Sequence, residues 1–206
     1  MTTDMVTIFG DRYIGKLDLD KEQSASGRGS NLENTQAIPG ILRQVIKDYS
    51  IESLLDAPCG DLHLMRHIIE SLNVKYIGID VVPKLVKRNK EFFPDLKFYC
   101  RDITQDKLPQ ADLILCRDGL VHHTKDDIFK ALENFKRSRS TYLLTTTFTR
   151  NRQFVDIETG DWRPINFELP PFNLKSLDVF PEYYSDPAFS DKSLGLFMLN
   201  DTKNNA

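Results

Sequence analysis

The chain has 206 residues, of which 40% are hydrophobic and 28% charged, and its formal net charge at pH 7 is -3. This balance is typical of one globular domain, and the slight negative charge excludes a general attraction to nucleic-acid phosphates. No apolar run reaches the roughly 18 residues of a membrane span, and the first residues lack the pattern of a secretory signal. We therefore expect a cytoplasmic protein with a single domain over 1–206.

The three cysteines argue against a disulfide framework or a structural metal. Cys59, Cys100 and Cys116 are too few for a disulfide-stabilised fold, and none belongs to a CxxC pair or to a zinc-like spacing with histidine. Their neighbours along the chain are mostly apolar, which is typical of cysteines that pack in a core.

The N-terminal residues 1–36 are polar and only weakly periodic. The stretch "SGRGSNLENT" is rich in serine, glycine and asparagine, so we expect a loop in this region, with order supplied by a ligand. Backbone N–H groups at Gly27 and Gly29 and the hydroxyl groups of Ser26 and Ser30 are its candidate donors.

From residue 38 the chain alternates between helical and strand-like patterns until about residue 150. Strands alternating with helices predict βαβ units, and hence a largely parallel sheet with helices on both faces. After a Pro-rich irregular stretch, two further apolar runs predict a C-terminal antiparallel strand pair. The predicted fold class is therefore α/β and Rossmann-like. The predicted helices are a segment from Ile38 and the ranges 62–72, 82–93 and 126–136, and the predicted strands are 52–57, 74–80, 96–102, 111–116, 141–148, 174–180 and 192–199.

The turn in "SLLDAPCGDLHLM" indicates which kind of cofactor the first strand end can hold. A dinucleotide site needs three glycines spaced as GxGxxG, whereas the corresponding positions here are Pro58, Gly60 and His63. Proline also lacks the N–H group that a phosphate cradle uses. A cofactor without phosphates would not need that donor. S-adenosylmethionine is a cofactor of this kind.

Acidic residues end the first three strands at the edge where an open α/β sheet binds its ligand. Asp80 follows the turn by about 20 residues, the spacing at which a carboxylate accepts both ribose hydroxyls. Asp102 ends the next strand, beside the expected adenine amino group, with capping of the following turn as its alternative role. Asp56 ends the first strand and either approaches the ligand or caps its own turn.

In four motifs the chain resembles the class I S-adenosylmethionine-dependent methyltransferases. "LLDAPCGD", "YIGIDVVP", "CRDI" and "ADLILCRDGLVHH" look like the first to fourth motifs of that family, in order, although DxPxG replaces the usual DxGxG. The resemblance covers about residues 38–150 and implies the class I methyltransferase fold, with 38–150 as the cofactor-binding core. It implies cofactor contacts from Asp56, Ala57, Pro58, Cys59, Gly60, Asp80, Val81, Asp102, Ile103, Cys116 and Arg117.

The whole chain is also similar to a smaller subgroup of about 200 residues, some of whose members are associated with glycan-building enzymes. The shared features include the serine- and glycine-rich start, "YLLTTTF" and "TGxWRPxN". This similarity implies that residues 1–36 are a lid over the methionine end of the cofactor, with Ser30 as a contact, and a plain flexible loop is the alternative. It also implies a carbohydrate acceptor, with residues 151–206 on the substrate side.

The loop after the fourth core strand carries the candidate catalytic residues. Thr124 and Asp127 have the spacing of a helix-capping box, so His122 and His123 precede the helix and lie in the loop. Histidine is suited to take a proton near neutral pH. Sugar O-methyltransferases with a comparable "LLH" element use its histidine as base, and His122 matches it; His123 and a purely structural histidine are the alternatives.

Asp118 has three candidate roles, which the sequence leaves open. It orients the base, binds Arg117, or contributes with a histidine to a divalent-cation site. The spacing does not require a metal.

"GDWRPINF" contains the only tryptophan and the candidate acceptor contacts Trp162, Arg163 and Asn166. An aromatic platform beside a guanidinium group suits a sugar, although packing and a surface ion pair would use the same side chains.

The sequence thus predicts an S-adenosylmethionine-dependent methyltransferase that modifies a hydroxyl of a small or glycan-linked acceptor. An N- or carboxyl-methyltransferase and a non-catalytic cofactor-binding module are the alternatives. No nucleic-acid partner is expected.

Overall fold

A seven-stranded mixed sheet is the centre of the protein, whose computed structural model describes residues 4–11, 24 and 28–200. The strand order is β3-β2-β1-β4-β5-β7-β6, in which β1 to β5 are parallel and β7 runs antiparallel to both of its neighbours. This arrangement confirms the predicted α/β sheet with a C-terminal antiparallel pair. The strands are β1 (Ser53–Asp56), β2 (Lys75–Asp80), β3 (Lys97–Cys100), β4 (Leu113–Cys116), β5 (Tyr142–Phe148), β6 (Ser176–Pro181) and β7 (Lys192–Met198).

Helices cover the sheet, and alternate residues of the central strands pack against different ones. The helices are α1 (Met5–Asp11), α2 (Ile38–Asp48), α3 (Ile69–Leu72), α4 (Pro83–Phe92) and α5 (Lys125–Arg137). In β1, Leu54 belongs to the core cluster that contains the apolar side of α2, whereas Leu55 belongs to the cluster that contains the apolar side of α5. Because successive strand residues point to opposite faces, both central residues of β1 must be apolar for the strand to bury its two faces.

The segment after the β1 turn is less helical than its apolar spacing predicts. A continuous helix over 62–72 was expected, but the chain forms a 3₁₀ turn at Met65–His67 and then the single turn of α3. Leu62 adopts a left-handed backbone with a φ of 57°, and the Asp61 carboxylate accepts the N–H of His63. Both features are incompatible with regular helix at this point, so the apolar residues reach the core from an irregular segment.

Part of the region predicted as loop is ordered. Residues 4–11 contain the helix α1, and 3₁₀ turns occur at Arg28–Ser30 and Leu32–Thr35. The candidate donors at Ser26 and Gly27 lie outside the described residues. Among the helices that the structure describes, none is both long and apolar enough to cross a membrane.

The helix start predicted before α5 is confirmed, but only half of the capping box forms, because the N–H of Thr124 donates to the hydroxyl of Thr159 instead of the Asp127 side chain. The hydroxyl of Thr124 accepts a hydrogen bond from the N–H of Asp127 at 3.2 Å, and the helix begins at Lys125. The helix start therefore fixes where the loop carrying His122 and His123 ends.

Replacing Thr124 with alanine should lower the free energy of unfolding by about 1 kcal/mol, because the N–H of Asp127 loses its side-chain acceptor. Urea denaturation of the two proteins measures the difference. Thr149→Ala is the matched control, since Thr149 is exposed and lies outside the helices. Equal losses in both variants would contradict the capping role.

Candidate active site at the carboxyl edge of the sheet

A cavity of about 650 Å³ opens at the carboxyl ends of β1 to β4. Its volume lies within the range of small-molecule sites, and its position is the one at which open α/β sheets bind ligands. Most of the residues selected from the sequence line it: Ser30, Asp56, Pro58, Cys59, Gly60, Asp80, Val81, Asp102, Ile103, Arg117, Asp118, His122, His123 and Trp162. Ala57, Cys116, Arg163 and Asn166 are not among its lining residues.

The turn after β1 is held open by hydrogen bonds to the next strand and helix. Gly60 adopts a left-handed backbone with a φ of 55°, which glycine tolerates without strain. Its N–H donates to the Asp80 carboxylate at 3.0 Å, and its carbonyl accepts from the Asn89 side chain of α4 at 2.8 Å. The turn therefore presents a fixed backbone to the cavity.

Asp80 is buried at the end of β2 and still faces the cavity. Its two carboxylate oxygens accept the N–H groups of Gly60 and of Val82, the latter at 2.9 Å. Burial raises the pKa of Asp80 to about 6, against the opposing effect of these backbone donors. The backbone of Val81 also lowers this pKa, and the lone-pair capacity that the three backbone donors leave on the carboxylate is available to a ligand hydroxyl.

Asp56 and Asp102 are the other two acids at the strand ends. Burial raises the pKa of Asp56 to about 7, although the Tyr76 hydroxyl donates to it at 2.6 Å. Asp102 accepts the backbone N–H and the hydroxyl of Thr104 at 2.8 and 2.7 Å and the side chain of Gln105 at 2.9 Å. The local capping alternative for Asp102 is thus present, and the residue lines the cavity as well.

A buried network of four charged side chains lies beyond the end of β4. Arg117 forms an ion pair with Glu182 at 2.8 Å, and Lys192 forms one with Asp118 at 2.7 Å. Arg117 also approaches Asp118 at 3.3 Å and donates to the carbonyl of Gly29 at 2.8 Å. The sequence identified Arg117 and Asp118 but missed their partners, which lie 65 and 74 residues further along the chain.

The network keeps Asp118 ionised. Burial alone would raise the pKa of this carboxyl, but Lys192 and Arg117 together lower it below the usual range of aspartate. Asp118 also has a left-handed backbone with a φ of 52°, held by the hydrogen bond from its N–H to the hydroxyl of Thr146 at 2.8 Å. Strained backbone of this kind is concentrated at functional sites.

Both histidines of the β4–α5 loop line the cavity, in different environments. Nδ1 of His122 lies 2.6 Å from the carbonyl oxygen of Asp161. Nδ1 of His123 lies 3.1 Å from the carbonyl oxygen of Gly119, and its ring packs on Phe9 with centroids 5.3 Å apart. His123 is buried, and burial lowers its pKa, whereas His122 is only half-buried.

The candidate acceptor residues in 162–166 are separated by the fold. Trp162 is 39% exposed and lines the cavity, whereas Arg163 is 5% exposed and donates to the carbonyl of Val121 at 3.2 Å. The side chain of Asn166 contacts the backbone carbonyls of 149 and 150, each at 3.4 Å. Two aromatic residues that the sequence did not single out, Tyr184 and Phe189, join Trp162 in the cavity wall.

Ala57 and Cys116 lie in the sheet core, fully buried at the ends of neighbouring strands. Burial raises the pKa of the Cys116 thiol to about 12, so it stays protonated. Within the described part of the chain, no group of three or more histidine, cysteine, aspartate or glutamate side chains is arranged to hold a metal ion.

Gly119 permits close contact between the two loops of the site. A Cβ atom there would lie 2.7 Å from the ring of Pro58 and 2.9 Å from the sulfur of Cys116. Gly119→Ala should therefore displace the β1 turn and lower the free energy of unfolding by about 1 to 3 kcal/mol.

Gly40→Ala is the matched control for this substitution. Gly40 is exposed within α2 and a Cβ there would meet nothing within 4 Å, so alanine should stabilise the helix by about 0.5 to 1 kcal/mol. Denaturant titrations of both variants measure the two changes. An unchanged stability of Gly119→Ala would show that the loops are not packed as described.

Residues 55–139 match the sequence model of a family described as a methyltransferase domain. A comparison with curated protein sequences finds no match.

Several solved methyltransferases resemble most of this chain in structure. Magnesium protoporphyrin IX methyltransferase ChlM from Synechocystis PCC 6803, crystallised with S-adenosylmethionine, is similar with a TM-score of 0.62 and 12% identity, over 96% of this chain and 98% of that chain. The N-methyltransferase NodS from Bradyrhizobium japonicum WM9 is similar with a TM-score of 0.59 and 14% identity, over 79% of this chain and 94% of that chain. An S-adenosylmethionine-dependent methyltransferase from Clostridium acetobutylicum has a TM-score of 0.59 and 13% identity, over 96% of this chain and 100% of that chain. The chain therefore has the Rossmann-like fold of the S-adenosylmethionine-dependent methyltransferases.

Proposed function

We propose that this protein transfers a methyl group from S-adenosylmethionine to a hydroxyl oxygen of a small acceptor, with a sugar or glycan hydroxyl as the predicted target. The observation that carries the proposal is that Gly60 and the strand-end acids Asp56, Asp80 and Asp102 line one cavity. Residues of the loop after β4 line the same cavity, so it can hold a cofactor and an acceptor together.

The donor set fits S-adenosylmethionine better than a phosphate-bearing dinucleotide. Buried carboxylates line the cavity, and a pyrophosphate placed beside them would be repelled. Pro58 has no N–H group, and the N–H of Gly60 is already directed to Asp80. The free lone pairs of Asp80 suit ribose hydroxyls, and Asp102 and Ile103 follow β3 at the position expected for adenine.

S-adenosylmethionine supplies a methyl group on a positively charged sulfur, which leaves as a neutral thioether when the acceptor oxygen attacks. The protein must align the acceptor and accept its proton. The carbonyl of Asp161 can only accept a hydrogen bond, so Nδ1 of neutral His122 carries the proton there and Nε2 carries the lone pair. This tautomer makes His122 the base that we propose.

Asp118 supports this assignment electrostatically. His122 is close enough to Asp118 to contribute to its lowered pKa. An ionised carboxylate beside the imidazole stabilises the imidazolium that forms when the ring takes the acceptor proton. We assign Asp118 to this supporting role and to acceptor binding rather than to the removal of the proton, because a carboxyl with a lowered pKa is a weak base.

S-adenosylhomocysteine should bind with micromolar affinity and raise the melting temperature, whereas NAD should do neither. Asp80→Asn should weaken this binding by about 10- to 100-fold, because the ribose loses a charged acceptor. Wild-type affinity should also fall as the pH is lowered through about 6, since Asp80 becomes protonated, and the asparagine variant should lack this step. Calorimetric titrations at several pH values between about 5 and 8 measure both effects.

Asp95→Asn is the control, because Asp95 is an exposed acid that does not line the cavity. Binding of NAD without S-adenosylhomocysteine would contradict the proposed function. Unchanged affinity in Asp80→Asn would contradict only the ribose assignment.

His122→Ala should lower the methyl-transfer rate by about 10² to 10⁴, the usual contribution of a positioned base, and leave S-adenosylmethionine affinity nearly intact. His123→Ala should cost far less rate, because its ring packs on Phe9 and its nitrogen contacts the Gly119 carbonyl. Single-turnover rates across pH, with any hydroxylated acceptor that the wild-type protein methylates, measure both variants.

In the wild type the rate should rise with pH, because the base must be unprotonated to accept the acceptor proton, and this dependence should vanish in His122→Ala. If His122→Ala keeps more than about a third of the wild-type rate, the loss is far smaller than expected, and another group must be the base.

A further inference from the structure

Lys192 is a buried cation at the acceptor side of the cavity, which neither the sequence motifs nor the proposed reaction uses. It begins β7, is 3% exposed, and lines the cavity together with Asp118. Burying an ammonium group is costly unless it is paired, and here Asp118 lies at 2.7 Å and Glu182 at 3.5 Å. The charge is therefore balanced within the protein.

The hydrogen-bonding groups of this pair are not all used. An ammonium group has three donors, and the only one that Lys192 places in a short hydrogen bond goes to Asp118. Glu182 lies at the longer ion-pair distance of 3.5 Å, and the centroid of the Tyr184 ring is 5.0 Å from Nζ. Asp118 has about four lone-pair sites. Lys192 and Arg117 both approach Oδ2, at 2.7 and 3.3 Å, and the Thr146 hydroxyl donates to Oδ1 at 3.2 Å, so a site remains on Oδ1. The pair can thus both donate to and accept from one ligand hydroxyl.

Three aromatic side chains and one glycine surround the pair within the cavity. Trp162 and Phe189 pack with centroids 4.9 Å apart and, with Tyr184, provide the aromatic wall of the cavity. Gly29 lies over the carboxylate, since a Cβ atom there would come within 2.8 Å of Asp118 Oδ2. The carboxylate is therefore covered by backbone on one side, and it lines the same cavity as the three aromatic side chains.

His122 lines the same cavity and follows Asp118 by four residues, at the end of the 3₁₀ turn Leu120–His122. A hydroxyl directed at His122 and a second hydroxyl directed at the ion pair would therefore occupy neighbouring positions of one acceptor.

We propose that Lys192 and Asp118 together bind the hydroxyl adjacent to the one that is methylated, so that the acceptor is a ring bearing two vicinal hydroxyl groups. This inference rests on the proposed function and narrows its acceptor class. The same chemistry is offered by a catechol-like aromatic ring and by a saturated, sugar-like ring. Lys192 is thus a specificity-determining residue, whose ammonium group would contact the acceptor directly.

The test compares fragment binding to the complex of the protein with S-adenosylhomocysteine, so that it does not depend on turnover. Catechol is compared with phenol, and trans-cyclohexane-1,2-diol with cyclohexanol, by ligand titrations followed by NMR. In at least one pair the affinity for the diol should be at least about tenfold higher than the affinity for the single alcohol, which is the usual effect of a hydrogen bond to a charged group. The pair that shows the preference distinguishes an aromatic from a saturated acceptor.

Lys192→Met should reduce that preference to within about twofold while leaving the affinity of the single alcohol nearly unchanged. Lys87→Met is the matched control, because the Lys87 side chain is 80% exposed on α4. Equal binding of diol and single alcohol by the wild-type protein, or no diol binding, would overturn the inference, and this comparison stands even if Lys192→Met does not fold. A preference that persists in a folded Lys192→Met would overturn the role of Lys192.

Failure of the proposed function is read from a different measurement. It would appear as absent S-adenosylhomocysteine binding, whereas failure of this inference appears as a lost diol preference in a protein that binds S-adenosylhomocysteine.

Discussion

The candidate site depends on the two backbone hydrogen bonds that the Asp80 carboxylate accepts. They join the turn after β1, through Gly60, to the start of the segment after β2, through Val82. The carboxylate must remain ionised to accept both strongly, and burial opposes this by raising its pKa to about 6. The turn and the acid are therefore mutually dependent: the N–H groups stabilise the buried charge, and the charge keeps the turn in the shape that leaves the cavity open.

Beyond the end of β4, charge balance between side chains has the same role across longer separations in sequence. Two cations and two carboxylates, Arg117, Lys192, Asp118 and Glu182, contact one another in a region almost closed to solvent. Removing any one of them would leave a buried charge without its partner, which is far more costly than the net stability of a satisfied pair. Arg117 also donates a hydrogen bond to the carbonyl of Gly29, so the network links the segment that contains Gly29 to the residues that line the cavity.

The sequence could predict those parts of the fold and site that depend on local pattern. Apolar runs gave the strands, and the spacing of Thr124 and Asp127 gave the start of α5. The helix expected over 62–72 was wrong, because Leu62 enters a left-handed conformation that spacing does not reveal. Lys192 could not be found, since nothing near it in the chain distinguishes it from a surface lysine, and only the pairing of β5 with β7 brings it to Asp118.

Trp162 and Arg163 show why adjacency in sequence is a poor guide to which groups face an acceptor. The indole lines the cavity, while the guanidinium carbon lies 4.8 Å from the centroid of the Phe154 ring and the group donates to the Val121 carbonyl. The Arg163 guanidinium, which was expected to contact a sugar beside Trp162, therefore points into the protein instead. Lys192 supplies a cation on the cavity wall instead, and it does so beside a carboxylate. An acceptor that offers both a donor and an acceptor in one hydroxyl satisfies this pair, whereas a purely anionic acceptor would meet the charge of Asp118 as well as that of Lys192.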